Sequence, residues 1–461
     1  MFHLGDECAS RELAEMWFSG HRQSPSTVQL PDGSFQEVPT LIRRHPEEML
    51  GENVSHLFGP VMPYLFKVIS ARIPLSLQVH PLDFQARAGF NRENALNIAL
   101  DAPERSFKDT LAKNEMVVAL EPFTAAVGFA PPNVQLRLLA SVPHPVAQSM
   151  AAILAGNAEA LVGLPEAEHR RDILDAMMPL SAITWPESRK RIFRAFATAI
   201  TAPSESGDGL EAALRGLSEG MDPQAYPAID NALQAARAFP GDPSVLCMLM
   251  MNPVRLDEGE SVYIPAGTPH AYIHGTAAEI MNNSDNVLRA GMTAKHKDIG
   301  NLLHSLNCLP GSPIDPSNTP FGILSTQYLV TYRPHVNEFM LAYGHVDDSA
   351  SSWAIVGRLV RRYGELLQRL RPQTLLRQRV QLPRSGPRVL LCTEGAIRCS
   401  SAEESVELTQ GEAVFIPSSD GRVEIRAAEH HDDGHGSDET GEPNAMSDGG
   451  KGSYLLASTP L

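Results

Sequence analysis

Read for its apolar and polar positions, the chain changes period twice. Up to Ala130 the apolar residues come mostly in short alternating runs: Leu65 to Ser70, Leu75 to His80 and Met116 to Leu120 each put every second side chain on one face, as strands do. Residues 84–100, FQARAGFNRENALNIAL, have the composition of a helix with an interruption at Gly89. Between Pro131 and Pro240 the spacing shifts to three and four in VQLRLLASV, PVAQSMAAILA, ESRKRIFRAFATAI and NALQAARAF, which predicts helices. Pro145 and Pro186 fall where a first helical turn accepts a residue without an N–H, and Gly207 to Gly209 break the run. Alternation then returns at Ser261 to Ile264, in a short strand opened by His270, and in a third strand at Glu279 to Met281. It recurs at Gln327 to Tyr332, Glu338 to Tyr343, Val389 to Cys392, Ala413 to Ile416 and Ser453 to Ser458. The pattern predicts a mainly β protein with an α-helical insertion.

An internal repeat is visible in the later part. The string LTQGEAVFIPSS at 408–419 echoes LDEGESVYIPAG at 256–267, but no histidine follows the second copy as His270 follows the first. The second copy is therefore expected to pack rather than to catalyse. Two stretches interrupt it. Residues 353–371, WAIVGRLVRRYGELLQRLR, read as an amphipathic helix with a solvated arginine face. Residues 429–452 are acidic and glycine-rich, a composition that predicts a disordered loop, and His430, His431 and His435 within it are not read as a site.

Composition narrows the class. A length of 461 residues implies two or three domains, and 43% hydrophobic with 20% charged residues is that of a soluble globular protein. A net charge of -16 argues against a nucleic-acid surface. No apolar run is long enough to span a bilayer, and the N-terminus lacks a signal pattern. Five cysteines without a CxxC pair are read as reduced thiols of a cytoplasmic protein.

Candidate chemistry is densest from Tyr263 to Lys295, YIPAGTPHAYIHGTAAEIMNNSDNVLRAGMTAK. A turn through Pro265 to Pro269 delivers His270 to the start of a strand, and alternation predicts His270, Tyr272 and His274 on one face. A polar loop with Asn282, Asn283, Asp285 and Asn286 follows, and Arg289 and Lys295 add two cations. A second stretch, PLSLQVHP at 74–81, places Ser76, Gln78 and His80 on one face, and Lys113 and Glu115 stand just before the next apolar run. Gln78, His80, Glu115 and His270 together offer two imidazoles, a carboxylate and an amide oxygen. That set suits a divalent borderline metal such as zinc, with a position open for substrate or water. Each residue alone has a plainer reading: Asp285 and Asn286 as an Asx-type turn, Tyr272 as packing, Arg289 as the partner of a structural carboxylate.

With these residues on the page, the sequence resembles the type I phosphomannose isomerases, metal-dependent enzymes of the cupin superfamily. The resemblance rests on LSLQVHP at 75–81, KDTLAKNE at 108–115 and IPAGTPHAYIHGTAAEIMNNSDNVLRAGMTAKHKD at 264–298. Weaker strings, LAEMWFSGH at 13–21, PYLFKVIS at 63–70 and FPGDPSVL at 239–246, extend it over most of the first 310 residues. It implies two cupin-type β-barrels of jelly-roll form plus a helical domain. The catalytic barrel would be split between 1–130 and 241–310, the helical insertion would be 131–240, and a C-terminal cupin-like barrel would span 311–461 with its acidic loop at 429–452.

The resemblance also implies interconversion of mannose 6-phosphate and fructose 6-phosphate through a cis-enediol, on one divalent metal, zinc, held by Gln78, His80, Glu115 and His270. Arg289 would be the active-site cation, Lys113 would support the enediolate or relay a proton, and Glu279 and Asp285 are the candidate bases. Ser76, Tyr272 and Lys295 would take the substrate, with Ser76 and Lys295 at the 6-phosphate, though Arg289 and Lys295 can exchange roles. The expected partner is a small phosphosugar, with neither nucleic acid nor membrane, and the expected form is a cytoplasmic monomer.

Two departures from the family pattern motivate an alternative. Ala112 stands where the family has histidine and Asn114 where it has proline, and family members carry a longer segment ahead of the AExW string that begins here at Ala14. The alternative is a phosphosugar-binding cupin of weak or no activity. A third class, an iron-using cupin oxidoreductase, is disfavoured by Gln78 in place of a third histidine and by the cations of the cleft.

Overall fold

The computed structural model describes residues 14–21, 24–30, 32–156, 174–219, 227–318, 327–347, 382–428 and 450–461. The expected helix at 353–371 and residues 429–449 of the acidic segment lie outside the described residues. The chain divides into two compact units, one holding residues 17–67 with 316–461 and the other 14–16 with 68–315. Within the first unit the Tyr64 hydroxyl donates to the carbonyls of Pro387 (3.0 Å) and Ala457 (3.1 Å). Alternation within a strand reports which face is buried but not which distant segment covers it.

In chain order the first strands are β1 (Glu15–Ser19), β2 (Thr27–Gln29), β3 (Phe35–Glu37), β4 (Tyr64–Ala71), β5 (Leu77–Val79), β6 (Glu115–Ala119), β7 (Phe123–Phe129), β8 (Met251–Leu256), β9 (Ser261–Ile264), β10 (His270–Asn282) and β11 (Leu288–Gly291). Nine of them form one sheet ordered β1-β4-β10-β5-β11, with β6 and β7 also paired to β10, β9 to β6 and β8 to β7. The short strand expected to open at His270 and the one expected at Glu279 to Met281 are a single element, β10, of 13 residues. Gly275 makes this possible: its φ of 114° and the approach of Pro122 O, which would lie 2.5 Å from an added Cβ, exclude a side chain. Before Gly275, β10 pairs with β5 and β7; after it, β10 pairs with β6.

The helices predicted between the strands form as Pro132–Ser141, Pro145–Ala155, Glu187–Thr201 and Pro227–Ala238, followed by the wholly buried 3-10 helix Pro243–Met250. Their apolar faces share one core with Leu77 and Val79 of β5 and with Leu288 and Ala290 of β11. Burying these alternate residues leaves Gln78 and Arg289 on the opposite face. A further helix runs unbroken from Asp83 to Ala95 through Gly89, which was expected to interrupt it. Glycine is required there because the Phe107 ring lies 2.4 Å from where a Cβ would be. No described helix is long and apolar enough to cross a membrane.

The C-terminal strands are β12 (Ser317–Asn318), β13 (Gln327–Tyr332), β14 (Met340–Asp347), β15 (Arg388–Ser400), β16 (Ser405–Thr409), β17 (Ala413–Ile416), β18 (Glu424–Ala427) and β19 (Lys451–Ser458), in one eight-stranded sheet. β19 begins at Lys451, so the last two residues of the segment expected to be a loop, Lys451 and Gly452, are strand residues paired with Asp347 and Val346. The architecture is a mixture of sheets and helices. Among the described residues both large sheets are open, without closure into a barrel.

The repeat seen in the sequence is also a repeat of hydrogen bonds. Gly259 (φ 83°) and Gly411 (φ 87°) make the same turn, closed by Glu260 N to Asp257 O and by Glu412 N to Thr409 O, both 2.9 Å. The Glu260 carboxylate accepts from Asp257 N at 2.9 Å, and Glu412 accepts from Thr409 N at 2.8 Å. In register, Glu115 pairs with Ile264 in the first copy and Arg388 pairs with Ile416 in the second. The carboxylate position of the first copy is thus an arginine in the second. Arg388 is fully buried and donates to the carbonyls of Pro417 (2.6 Å), Pro383 (3.2 Å) and Gly421.

Candidate metal centre and active site

Three strands bring the expected ligands together. Gln78 in β5 is flanked in register by His270 of β10 on one side and Arg289 of β11 on the other, so these three side chains share one face of the sheet. Glu115 opens β6, which pairs with the far end of β10. His80 Nε2 lies 3.0 Å from Glu115 Oε1, and His270 Nε2 lies 3.1 Å from Glu115 Oε2. The Gln78 amide nitrogen is 3.1 Å from His270 Nε2, and turning the amide over presents its oxygen there instead. His80, Glu115 and His270 are at most 1% exposed, and one donor atom from each lies within 4.8 Å of the others.

The protonation of this cluster follows from its outer contacts. A backbone carbonyl only accepts, so His80 Nδ1 must donate to Asn286 O (2.7 Å) and His270 Nδ1 to Thr268 O (3.0 Å). Burial, opposed by Glu115, pulls the His80 imidazole down to about 4, so at pH 7 it is neutral and its Nε2 is a lone pair. Burial by itself would raise the Glu115 carboxyl. Its neighbours His80 and Lys113, the latter with Nζ 2.8 Å from Oε1, hold it well below the carboxylate range. The His80 lone pair therefore faces an ionised carboxylate at 3.0 Å, and His270 Nε2 is turned onto the same carboxylate at 3.1 Å. His80 Nε2 makes no hydrogen bond despite that proximity. Electron-rich atoms so arranged repel one another unless a cation lies among them, and carbonyl-anchored imidazoles are the usual way to aim ring nitrogens at a metal. The donor set fits a divalent ion.

The remaining expected site residues fall into an inner and an outer group. Tyr272 is 2% exposed; its hydroxyl donates to Glu279 Oε1 at 2.5 Å and lies 3.5 Å from Glu115 Oε2. Burial, then Glu279 and Glu115, push the phenol well above its usual range, so it stays a donor. Glu279 is 1% exposed behind it. Nearer to water, Arg289, Asp285 and Ser76 are half-buried, and Lys295 is exposed with its N–H donated to Thr293 Oγ1 (3.0 Å). Burial lowers the Arg289 pKa while Asp285 opposes that shift.

His274 does not share the face of His270 and Tyr272. A one-residue bulge in β10 pairs Tyr272 with Ala125 and His274 with Thr124, which turns the second histidine to the opposite, exposed side. At the departures from the family pattern, Ala112 donates its N–H to Asp83 Oδ1 (2.9 Å). Asn114 ties two loops, accepting from Ala266 N (3.0 Å) and donating to Asn282 Oδ1 (3.1 Å). Neither disturbs the Lys113–Glu115 contact.

Sequence reasoning missed the residues that aim the imidazoles. Asn286 was seen as part of a polar loop, but it is fully buried, and its side chain bonds Asp109, Lys108 N and Leu111 O while its carbonyl holds His80. A Ser-Asp-Asn turn directly after an apolar strand was the available signal.

Comparison with known proteins gives consistent results. The family profile for the phosphomannose isomerase type I catalytic domain matches residues 5–132. The mannose-6-phosphate isomerase of Escherichia coli (strain K12) is 28% identical over 418 residues, covering 91% of this chain and 90% of the relative. That of Salmonella typhimurium is 33% identical over 298 residues, covering 65% and 67%. A probable mannose-6-phosphate isomerase of Echinococcus multilocularis is 31% identical over 337 residues, covering 71% of each chain. Among solved structures, a zinc-bound mannose 6-phosphate isomerase superposes with a TM-score of 0.68 at 25% identity, covering 97% of this chain and 91% of that one.

Proposed function

The chain belongs to the type I phosphomannose isomerase family, and from that premise we propose that it interconverts mannose 6-phosphate and fructose 6-phosphate at the site built on Gln78, His80, Glu115 and His270. The observation that carries the reading is the pair of imidazoles turned Nε2-first onto one carboxylate, in the same cross-strand row as Arg289. Those four residues would hold one zinc ion, as the related solved structure does hold zinc. When bound, the ion supplies Lewis-acid charge for a sugar carbonyl and its neighbouring hydroxyl as negative charge develops.

The protein's own groups do the rest. Asp285 is the better-placed base: it is half-buried beside Arg289, whereas Glu279 is sealed in and engaged by the Tyr272 hydroxyl. The base removes the proton from C2 of the aldose and returns it to C1 of the cis-enediol; no oxidant is required. Arg289 offers two parallel donors to the enediolate oxygen, and Lys113 holds Glu115 and relays or stabilises charge beside it. Ser76 and Lys295 take the 6-phosphate at the mouth, while Tyr272 acts on the substrate through Glu115 and Glu279. Because Lys113 and Glu115 remain in contact with Ala112 in place, turnover is favoured over a binding-only role.

The shared turn geometry of the two copies supports reading each sheet as a cupin-type jelly roll. In that reading 1–130 and 241–310 form the catalytic part, 131–240 the helical insertion, and 311–461 a ligand-free cupin-like part. Four buried free cysteines support a reducing, cytoplasmic setting, and we read the protein as a monomer.

Steady-state kinetics of Arg289→Lys test the assignment. If Arg289 acts in the transition state, kcat and kcat/KM fall together by about a hundredfold, the equivalent of roughly 3 kcal/mol, with KM little changed. A raised KM with kcat retained would instead make Arg289 the phosphate anchor, and Lys295→Met would then carry the turnover defect.

A further inference from the structure

β11 turns one residue toward the metal set and the next-but-one away from it. Arg289 pairs with Gln78, but Gly291 pairs with Leu77, so the pair of residues after Arg289 advances against a single step of β5. Through this bulge Arg289 and Gly291 lie on opposite faces although they are two apart. Three features hold the bulge. Gly291 lies so close to Ser244 that an added Cβ would be 1.9 Å from its Oγ and 2.3 Å from its Cβ. Met292, fully buried, has φ 54°, one of two non-glycine residues in the left-handed region among the described residues. Asp242 joins the two: Oδ1 accepts from Ser244 N, capping the buried 3-10 helix, and Oδ2 accepts from Met292 N, both at 2.9 Å. A left-handed methionine persists only where its surroundings over-determine it.

We propose that Asp242 is the positioning residue for Arg289: its two-sided clamp, with Ser244 packed on Gly291, sets the β11 bulge that aims the guanidinium at the metal-bearing row. Asp242 lies 47 positions before Arg289 in the sequence and touches neither metal ligands nor the reacting atoms; it acts through the backbone of residues 291–292. The inference rests on the role proposed for Arg289.

The test is a double-mutant cycle on the zinc-loaded enzyme, with kcat and KM measured separately and folding followed by calorimetry. Asp242→Ala is expected to lower kcat by about tenfold or more with KM within about twofold, since small misplacement of a reacting group acts on turnover. In an Arg289→Lys background the same substitution should change kcat by less than about threefold, because the group it aims is already impaired. Gly291→Ala, which forces the strand off Ser244, should reproduce the kcat loss without touching Asp242, and Gly291→Ala with Ser244→Gly should recover most of it. Equal effects of Asp242→Ala in both backgrounds, or a Gly291→Ala loss that Ser244→Gly does not relieve, would overturn the clamp while leaving the role of Arg289 standing. If Arg289→Lys is itself without effect, the role of Arg289 fails and the clamp with it.

Discussion

Replacing Asn286 by alanine removes the side chain that ties down the loop behind His80. Its Oδ1 accepts from Lys108 N (2.7 Å) and Asp109 N (3.2 Å), and its amide donates to Asp109 O (3.1 Å), Asp109 Oδ1 (3.0 Å) and Leu111 O (2.9 Å). One oxygen and two amide hydrogens serve these contacts, so about three net hydrogen bonds are lost in a fully buried place. At about 1 kcal/mol each the loss is about 3 kcal/mol, which for a unit of this size lowers Tm by roughly 6–12 °C. The carbonyl of the same residue accepts the His80 Nδ1 proton, so the ligand loosens with the loop. Loss of such an orienting contact weakens metal binding by about 10–100-fold. In excess zinc that subtracts a further ~1.4–2.7 kcal/mol from the loaded protein alone. Calorimetry of stripped and zinc-loaded protein, with chelator competition for the dissociation constant, measures both parts. The reasoning fails if the two forms lose equal stability and zinc affinity is unchanged, because the loop would then not be what aims His80.

Arg388→Met should destabilise the C-terminal unit by about 2–4 kcal/mol, since it leaves the carbonyls of Pro383, Pro417 and Gly421 without their buried donor. It should change kcat and zinc content little; a proportional loss of bound zinc would show that the ligand-free copy is not independent of the metal. Gly89→Ala raises helix propensity but drives a methyl into the Phe107 ring, and denaturant titration should show about 1–3 kcal/mol of destabilisation rather than a gain.

How much of this was legible in the chain depends on the range of the physics involved. A strand's period of two is local, so Gln78 and His80 could be placed on one face, and His270 could be put at a strand start from the turn before it. The same rule failed at His274 because a bulge after Tyr272 reverses the face, and no residue type announces a bulge there. Gly89 was read as a break and β10 as two strands, yet Gly89 and Gly275 are each glycine for want of room, under Phe107 and beside Pro122 O, within an element that continues. Their reasons lie in distant segments. The repeat was readable because its turn is built locally from Gly259 and Glu260 or Gly411 and Glu412. That Arg388 takes the place of Glu115 needed the register. Asn286 and Asp242 were hidden because both act through backbone groups, which carry no sequence label.

The central claim is that a metal held by Gln78, His80, Glu115 and His270 drives aldose–ketose isomerisation. Its most direct test is the rate of fructose 6-phosphate formation from mannose 6-phosphate by protein stripped with chelator, before and after return of one equivalent of zinc, in the wild type and in Glu115→Ala. The account predicts no turnover when stripped, full recovery of the wild type at one bound zinc per chain, and neither recovery nor tight zinc binding by the variant. Undiminished turnover of the stripped protein, or equal recovery of the variant, would contradict it.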